Sequence, residues 1–173
     1  MALLFLAWGQ WARAADADMG LEERRLKVAL IYNFSQFIEW PAAALGAADA
    51  PFQICVLGPD PFGATLLAVQ KRSLQGHPIL VSHPQNLDEA RHCHILYSDQ
   101  LRGRDVARAL ADATVLTVSS SPNAAEEGIG IGFVQQADRI RWNMNLAAVR
   151  HAQLKVSAKL IEIAVTVVGE RVK

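Results

Sequence analysis

Two cysteines, five histidines, a run of three serines and a run of alternating glycines are the residues of this 173-residue chain that could do chemistry. Cys55 and Cys93 form an even pair. Each sits in an apolar run, Phe52-Gln53-Ile54-Cys55-Val56-Leu57 and Cys93-His94-Ile95-Leu96-Tyr97, and both runs read as buried strands. If the strands lie close in an oxidising compartment, the thiols form a disulfide; otherwise they pack as two small buried hydrophobes. His92-Cys93-His94, with His77 and His83, raises the question of a metal. A tetrahedral centre needs three or four converging ligands, and in an extended run His92 and His94 share one face while Cys93 takes the other. The expectation is no metal, and two partly exposed histidines at the start of a strand. Ser119-Ser120-Ser121 offer hydroxyls, but no Gly-x-Ser-x-Gly elbow holds them and no base is placed beside them. Glu126 and Glu127 are adjacent, so on a helix they point about 100° apart and do not converge as an acid–base pair. Gly128-Ile129-Gly130-Ile131-Gly132 lacks the spacing and the position of a dinucleotide fingerprint. Alternating glycines at the start of a late strand mark a bulge or close backbone packing. No cofactor and no catalysis are expected.

Binding is the stronger prospect. In open α/β sheets, ligands sit in the crevice at the carboxyl ends of the strands. Gly58-Pro59-Asp60-Pro61-Phe62-Gly63 and residues 119–123 both occupy such ends. Phe62, Ser119 and Asn123 are therefore candidates for contact with a ligand or partner, with plain turn chemistry as the competing account. Arg141 is a further candidate, on a strand whose opposite face carries Trp142. Trp142 is expected to pack inward, leaving Arg141 outward.

The elements that must position these residues follow from periodicity. Residues 18–40 show helical spacing, with Glu22 and Glu23 in the first turn and Pro41 as the stop. An Ala/Gly-rich connector, residues 42–50, leads to a strand over residues 52–57. A helix over 62–70, a short strand over 79–81, a helical turn over 87–91, a strand over 95–97, a helix over 104–111 and a strand over 115–118 follow. The strands are apolar throughout, as strands covered on both faces should be. This alternation predicts an α/β fold with a mostly parallel sheet flanked by helices, Rossmann-like in class. The end differs. Residues 129–135 and 139–145 have hairpin spacing and are expected to be antiparallel. Asn145 can cap a helix beginning at Leu146. Residues 160–168 read as a C-terminal helix, although their β-branched end could be a strand instead.

Composition bounds the rest. Lys plus Arg and Asp plus Glu number 17 each, so no net charge is available to grip nucleic acid. Hydrophobic residues make up 51% and charged ones 20%, a globular balance. Residues 2–12 form a short apolar stretch, and Ala12-Arg13-Ala14 has the small residues a signal peptidase reads. No basic residue precedes the stretch, so residues 1–14 are expected to be an export signal truncated at its start. Residues 15–173 are then expected to be one domain.

Seven blocks in order resemble one family. They are Tyr32-Asn33-Phe34 with Phe37-Ile38-Glu39-Trp40-Pro41; Ile54 to Gly58 with Asp60-Pro61-Phe62-Gly63; Cys93-His94-Ile95-Leu96; Val115-Leu116-Thr117-Val118; Gly128 to Phe133; Arg139 to Leu146; and Leu154 to Leu160. Their order and spacing resemble the YfiR-like proteins from about Leu26 to the C-terminus. The resemblance implies a periplasmic, non-enzymatic regulator of α/β fold, seen as a homodimer. Its implied partner is an inner-membrane, YfiN-like diguanylate cyclase, repressed by contact, which would lower cyclic-di-GMP signalling and biofilm formation. A second implied partner is a YfiB-like outer-membrane lipoprotein that sequesters the repressor. The alternative is a periplasmic small-molecule-binding sensory module of the same fold. Two departures stand out: the glycine segment begins Gly128-Ile129-Gly130-Ile131 where the family usually has Gly-Gly-x-Ile, and a second cysteine pair is absent.

Overall fold

The structure, a computed structural model, describes residues 20–169. The expected export segment, residues 1–14, lies outside the described residues. In chain order the elements are α1 (Leu21–Phe37), β1 (Ile38–Glu39), α2 (Ala42–Leu45), β2 (Phe52–Val56), α3 (Ala64–Leu67) running into a 3₁₀ turn (Ala68–Lys71), β3 (Ser73–Leu74), β4 (His77–Ser82), α4 (Leu87–Ala90), β5 (Ile95–Tyr97) and α5 (Gly103–Ala109). They continue with β6 (Leu116–Ser119), β7 (Ile131–Gln136), β8 (Arg139–Asn145), α6 (Leu146–His151), β9 (Lys155–Val156), α7 (Ala158–Glu162) and β10 (Val167–Val168). The main sheet runs β10-β8-β7-β6-β5-β2-β4-β3, and β1 pairs with β9 as a separate ribbon. The stretch from β4 through β2, β5 and β6 to β7 is parallel throughout. β8 returns antiparallel to β7, as the hairpin spacing predicts.

Of the differences from expectation, three change the element assignment and have a physical reason. α1 stops at Phe37 and not at Trp40, because Ile38 turns extended (φ −120°, ψ 132°) and pairs with Val156. Pro41 also disfavours helix at Trp40. The connector after it contains the short helix α2, which Pro41 precedes as N-cap. The C-terminal segment is a helix and then a strand: α7 ends at Glu162, and the β-branched run docks on β8. There the Met144 amide donates to the Thr166 carbonyl and the Val165 amide to that of Trp142.

Alternation sorts the sheet's side chains onto two faces. Phe52, Ile54, Val56, Ile95, Tyr97, Phe133, Trp142 and Met144 join Ile31 and Phe34 of α1 in the larger core. Cys55, Leu57 and Leu96 join Val106 and Leu110 around α5 in the smaller one. Both faces of the central strands are thus covered, which is why those strands read as unbroken apolar runs. Asn145 accepts from the Ala148 amide at 2.8 Å and starts α6 as its sequence position predicts.

The β7–β8 turn is made by Ala137 (φ +46°) and Asp138 (φ +59°), both left-handed. A two-residue loop with this geometry favours Asn-Gly, and a left-handed alanine costs on the order of 1 kcal/mol. Ala137→Asn with Asp138→Gly should therefore raise the melting temperature by a few degrees in a thermal scan. An unchanged or lower value would show that the turn is not conformationally strained.

Candidate functional site

The structure scatters the residues expected to bind. Phe62 is 1% exposed and lies edge-on to Tyr97 with centroids 4.7 Å apart. It is a core residue, which corrects the expectation of a surface anchor: the turn after β2 folds it back under α3. Ser119 is buried too, and its hydroxyl donates to Asp99 Oδ1 at 2.9 Å while accepting from the Ser121 amide. Asp99 also accepts from the Ser120 amide and from the Tyr97 hydroxyl. Burial, and then the charge of Asp99, push the Tyr97 phenol well above its ordinary range. This cluster ties the ends of β5 and β6 together and uses up its own hydroxyls. Asn123 is exposed in a left-handed turn (φ +57°). Arg141 is half-buried on β8, and its guanidinium donates to the Ile163 carbonyl at 3.1 Å.

The alternating glycines pack closely, as expected. A Cβ at Gly130 would come within 3.2 Å of the Thr117 carbonyl, and one at Gly132 within 3.2 Å of the Ala124 methyl. Cys55 and Cys93 are joined, with Cα atoms 6.0 Å apart. β2 and β5 are direct neighbours, and this adjacency brings the two cysteines together.

The histidines serve separate purposes. His77 bonds the Ala50 carbonyl through Nδ1. His92 is exposed, but His94 is only 6% exposed, which corrects the expectation that both are partly open. Its Nδ1 accepts from the Gln53 amide at 2.9 Å, its Nε2 donates to the Ala44 carbonyl at 3.0 Å, and its ring stacks on Phe52. Burial lowers its pKa, the Ala44 carbonyl opposes that, and His77 adds to the lowering, with a net shift downward. A proton on Nδ1 would point at the Gln53 N–H. The unfolded chain binds that proton near the ordinary value of 6.5 while the folded chain resists it. Stability linked to His94 is therefore present above about pH 6.5 and lost as pH falls through the lower folded value. Melting temperatures measured from pH 7.5 to 5 should decline more steeply for the parent than for His94→Asn. Parallel curves would remove His94 from the acid response.

Loops that leave several strands enclose a cleft at the switch point of the sheet. β4 lies on one side of β2 and β5 on the other, so successive crossovers leave in opposite directions. The carboxyl ends of these strands border a cleft of about 520 Å³, lined by Leu57, Gly58, His83, Leu87, Gln100 and Leu101 among others. Asp60 organises its wall. Oδ1 accepts from the Phe62 and Gly63 amides at 2.7 and 3.1 Å, and Oδ2 accepts from His83 Nε2 at 3.0 Å. Burial pushes the Asp60 carboxyl up, but His83 and the two amides outweigh it and hold the carboxyl below its usual value. The loop after β2 was legible as a crevice loop. His83, singled out in the sequence for a metal and not for the crevice, and Gln100, not singled out at all, each follow a predicted strand by two or three positions.

A family model described as YfiR/HmsC-like matches residues 24–165, spanning the whole of the sheet's parallel centre and the β7–β8 hairpin. The chain belongs to the YfiR/HmsC-like family. No curated protein matches the chain significantly. The YfiR/HmsC-like family is regulatory, non-catalytic and periplasmic. Among the described residues of this YfiR/HmsC-like chain, no helix is long and apolar enough to cross a membrane.

Proposed function

We propose that this protein is exported by way of residues 1–14, acts in the periplasm as one domain over residues 15–173, and represses a membrane-bound diguanylate cyclase by contact. The cyclase is of the YfiN kind and meets the repressor through its periplasmic part. A YfiB-like outer-membrane lipoprotein relieves the repression, and the working form is a homodimer. The observation that carries this reading is the family match over residues 24–165. The Cys55–Cys93 bridge supports it, since disulfides persist in the oxidising periplasm. The conversion of Ser119 and Tyr97 into a closed structural cluster supports a role by binding and not by catalysis.

Arg141 is the contact we assign to the partner. It lies on the face of β8 opposite Trp142, and arginine is favoured at interface hot spots. Affinity purification of the tagged protein from solubilised membranes should recover a GGDEF-type membrane protein. Arg141→Ala should weaken that recovery by more than about 1 kcal/mol of binding energy while leaving the melting temperature within a few degrees of the parent. Recovery of no cyclase would overturn the repressor reading. Wild-type recovery by the variant would move the interface away from β8.

A further inference from the structure

We propose that the switch-point cleft binds a small aromatic ligand, uncharged or cationic, that carries an N–H donor. This site is independent of the cyclase contact, which we place on β8. The position is where open α/β sheets hold ligands, and about 520 Å³ falls within the range of small-molecule sites.

The lining sets the chemistry. Leu57, Pro84, Leu87 and Leu101 offer apolar surface to a ring, and Leu101 remains 37% exposed. Two polar groups of the lining make no hydrogen bond among the described residues: His83 Nδ1 and the Gln100 carboxamide. Asp60 grips His83 Nε2, so Nε2 carries the proton and Nδ1 of the neutral ring is left as an acceptor. Gln100 presents both a donor and an acceptor. Its approach depends on Gly58, where a Cβ would lie 2.8 Å from Gln100 Oε1 and where φ is +96°. An acceptor and a donor–acceptor amide lining one cleft match the edge of a purine or an amidine.

Charge then selects among ligands. Among the described residues, no lysine or arginine lines the cleft. Asp60 stands behind His83, and Glu89 holds the Gln85 amide at the rim. An anion would meet two carboxylates and no fixed cation, so carboxylates and phosphates are disfavoured.

The test is an NMR titration of the protein with adenine, benzamidine and benzoate, the last two being near-isosteric with opposite charge. Adenine and benzamidine should shift the amides of Gly58, Gln85, Gln100 and Leu101 saturably, at concentrations up to about 5 mM. Benzoate should not shift them. Gln100→Leu should weaken both binders by roughly tenfold with the rest of the spectrum unchanged, as expected for losing one ligand-facing amide. Benzoate binding as well as benzamidine, shifts confined to other surfaces, or no saturable shift with any probe would each overturn the proposal. Partner recovery from membranes is read separately, so failure here leaves the repressor reading standing.

Discussion

Replacing both cysteines, as Cys55→Ala with Cys93→Ala, should cost the fold about 4 kcal/mol. The bridge spans 38 positions, and closing a loop of that length in the unfolded chain removes entropy worth roughly that amount. Both residues are nearly fully buried, and the Ser82 hydroxyl donates to Cys55 Sγ at 3.2 Å. Alanine suits the replacements because serine would add buried hydroxyls and confuse the loss of the cross-link with a desolvation cost. For a chain of this size the change corresponds to a drop of about 10 °C in melting temperature. Urea unfolding of the oxidised protein, the reduced protein and the double variant checks it, and the last two should agree. A midpoint shared by oxidised and reduced protein would reject the cross-link as a stabiliser. Two titratable thiols in the unfolded, unreduced protein would reject the cross-link itself.

The same pair shows what was legible in the sequence. Alternating strands and helices with apolar strands give a parallel sheet, and a sheet of that kind can place β2 beside β5. The hairpin over β7 and β8, its inward Trp142 and the Asn145 cap were equally plain, because each rests on local periodicity or on one short-range hydrogen bond. What escaped depended on long-range pairing. Ile38 leaves the helix because Val156, far along the chain, offers it a strand partner. Val167 and Val168, at the β-branched end that the sequence left open between helix and strand, become a strand because β8 presents a free edge. Phe62 reads as exposed when seen beside two prolines, and only the Asp60 turn reveals that it folds inward. The cleft was half visible: topology marks the crevice, but which loops close it depends on His83 reaching back to Asp60 across 23 positions.

Trp142→Ala should destabilise the fold by roughly 3–5 kcal/mol, the range for emptying a large aromatic site. Trp142 is 7% exposed, pairs across the hairpin with Phe133 and meets Phe34 of α1 edge-on at 5.2 Å. It therefore joins the antiparallel end of the sheet to the long helix, beside Phe133, whose ring centroid lies 5.9 Å from that of Phe34. Its indole Nε1 is buried with no hydrogen-bond partner among the described residues. Trp142→Phe should accordingly cost much less, about 1–2 kcal/mol, because it removes volume while discarding an unsatisfied donor. Arg141→Ala, one residue away on the opposite face, should cost under about 1 kcal/mol, since it loses a single exposed hydrogen bond to the Ile163 carbonyl. Chemical denaturation of the three variants gives the ranking Trp142→Ala, Trp142→Phe, Arg141→Ala. If Trp142→Ala matched Arg141→Ala, the hairpin would not be anchored to α1 through this ring. A loss of partner recovery in Arg141→Ala could then no longer be assigned to the guanidinium, because the strand presenting it would have no fixed orientation.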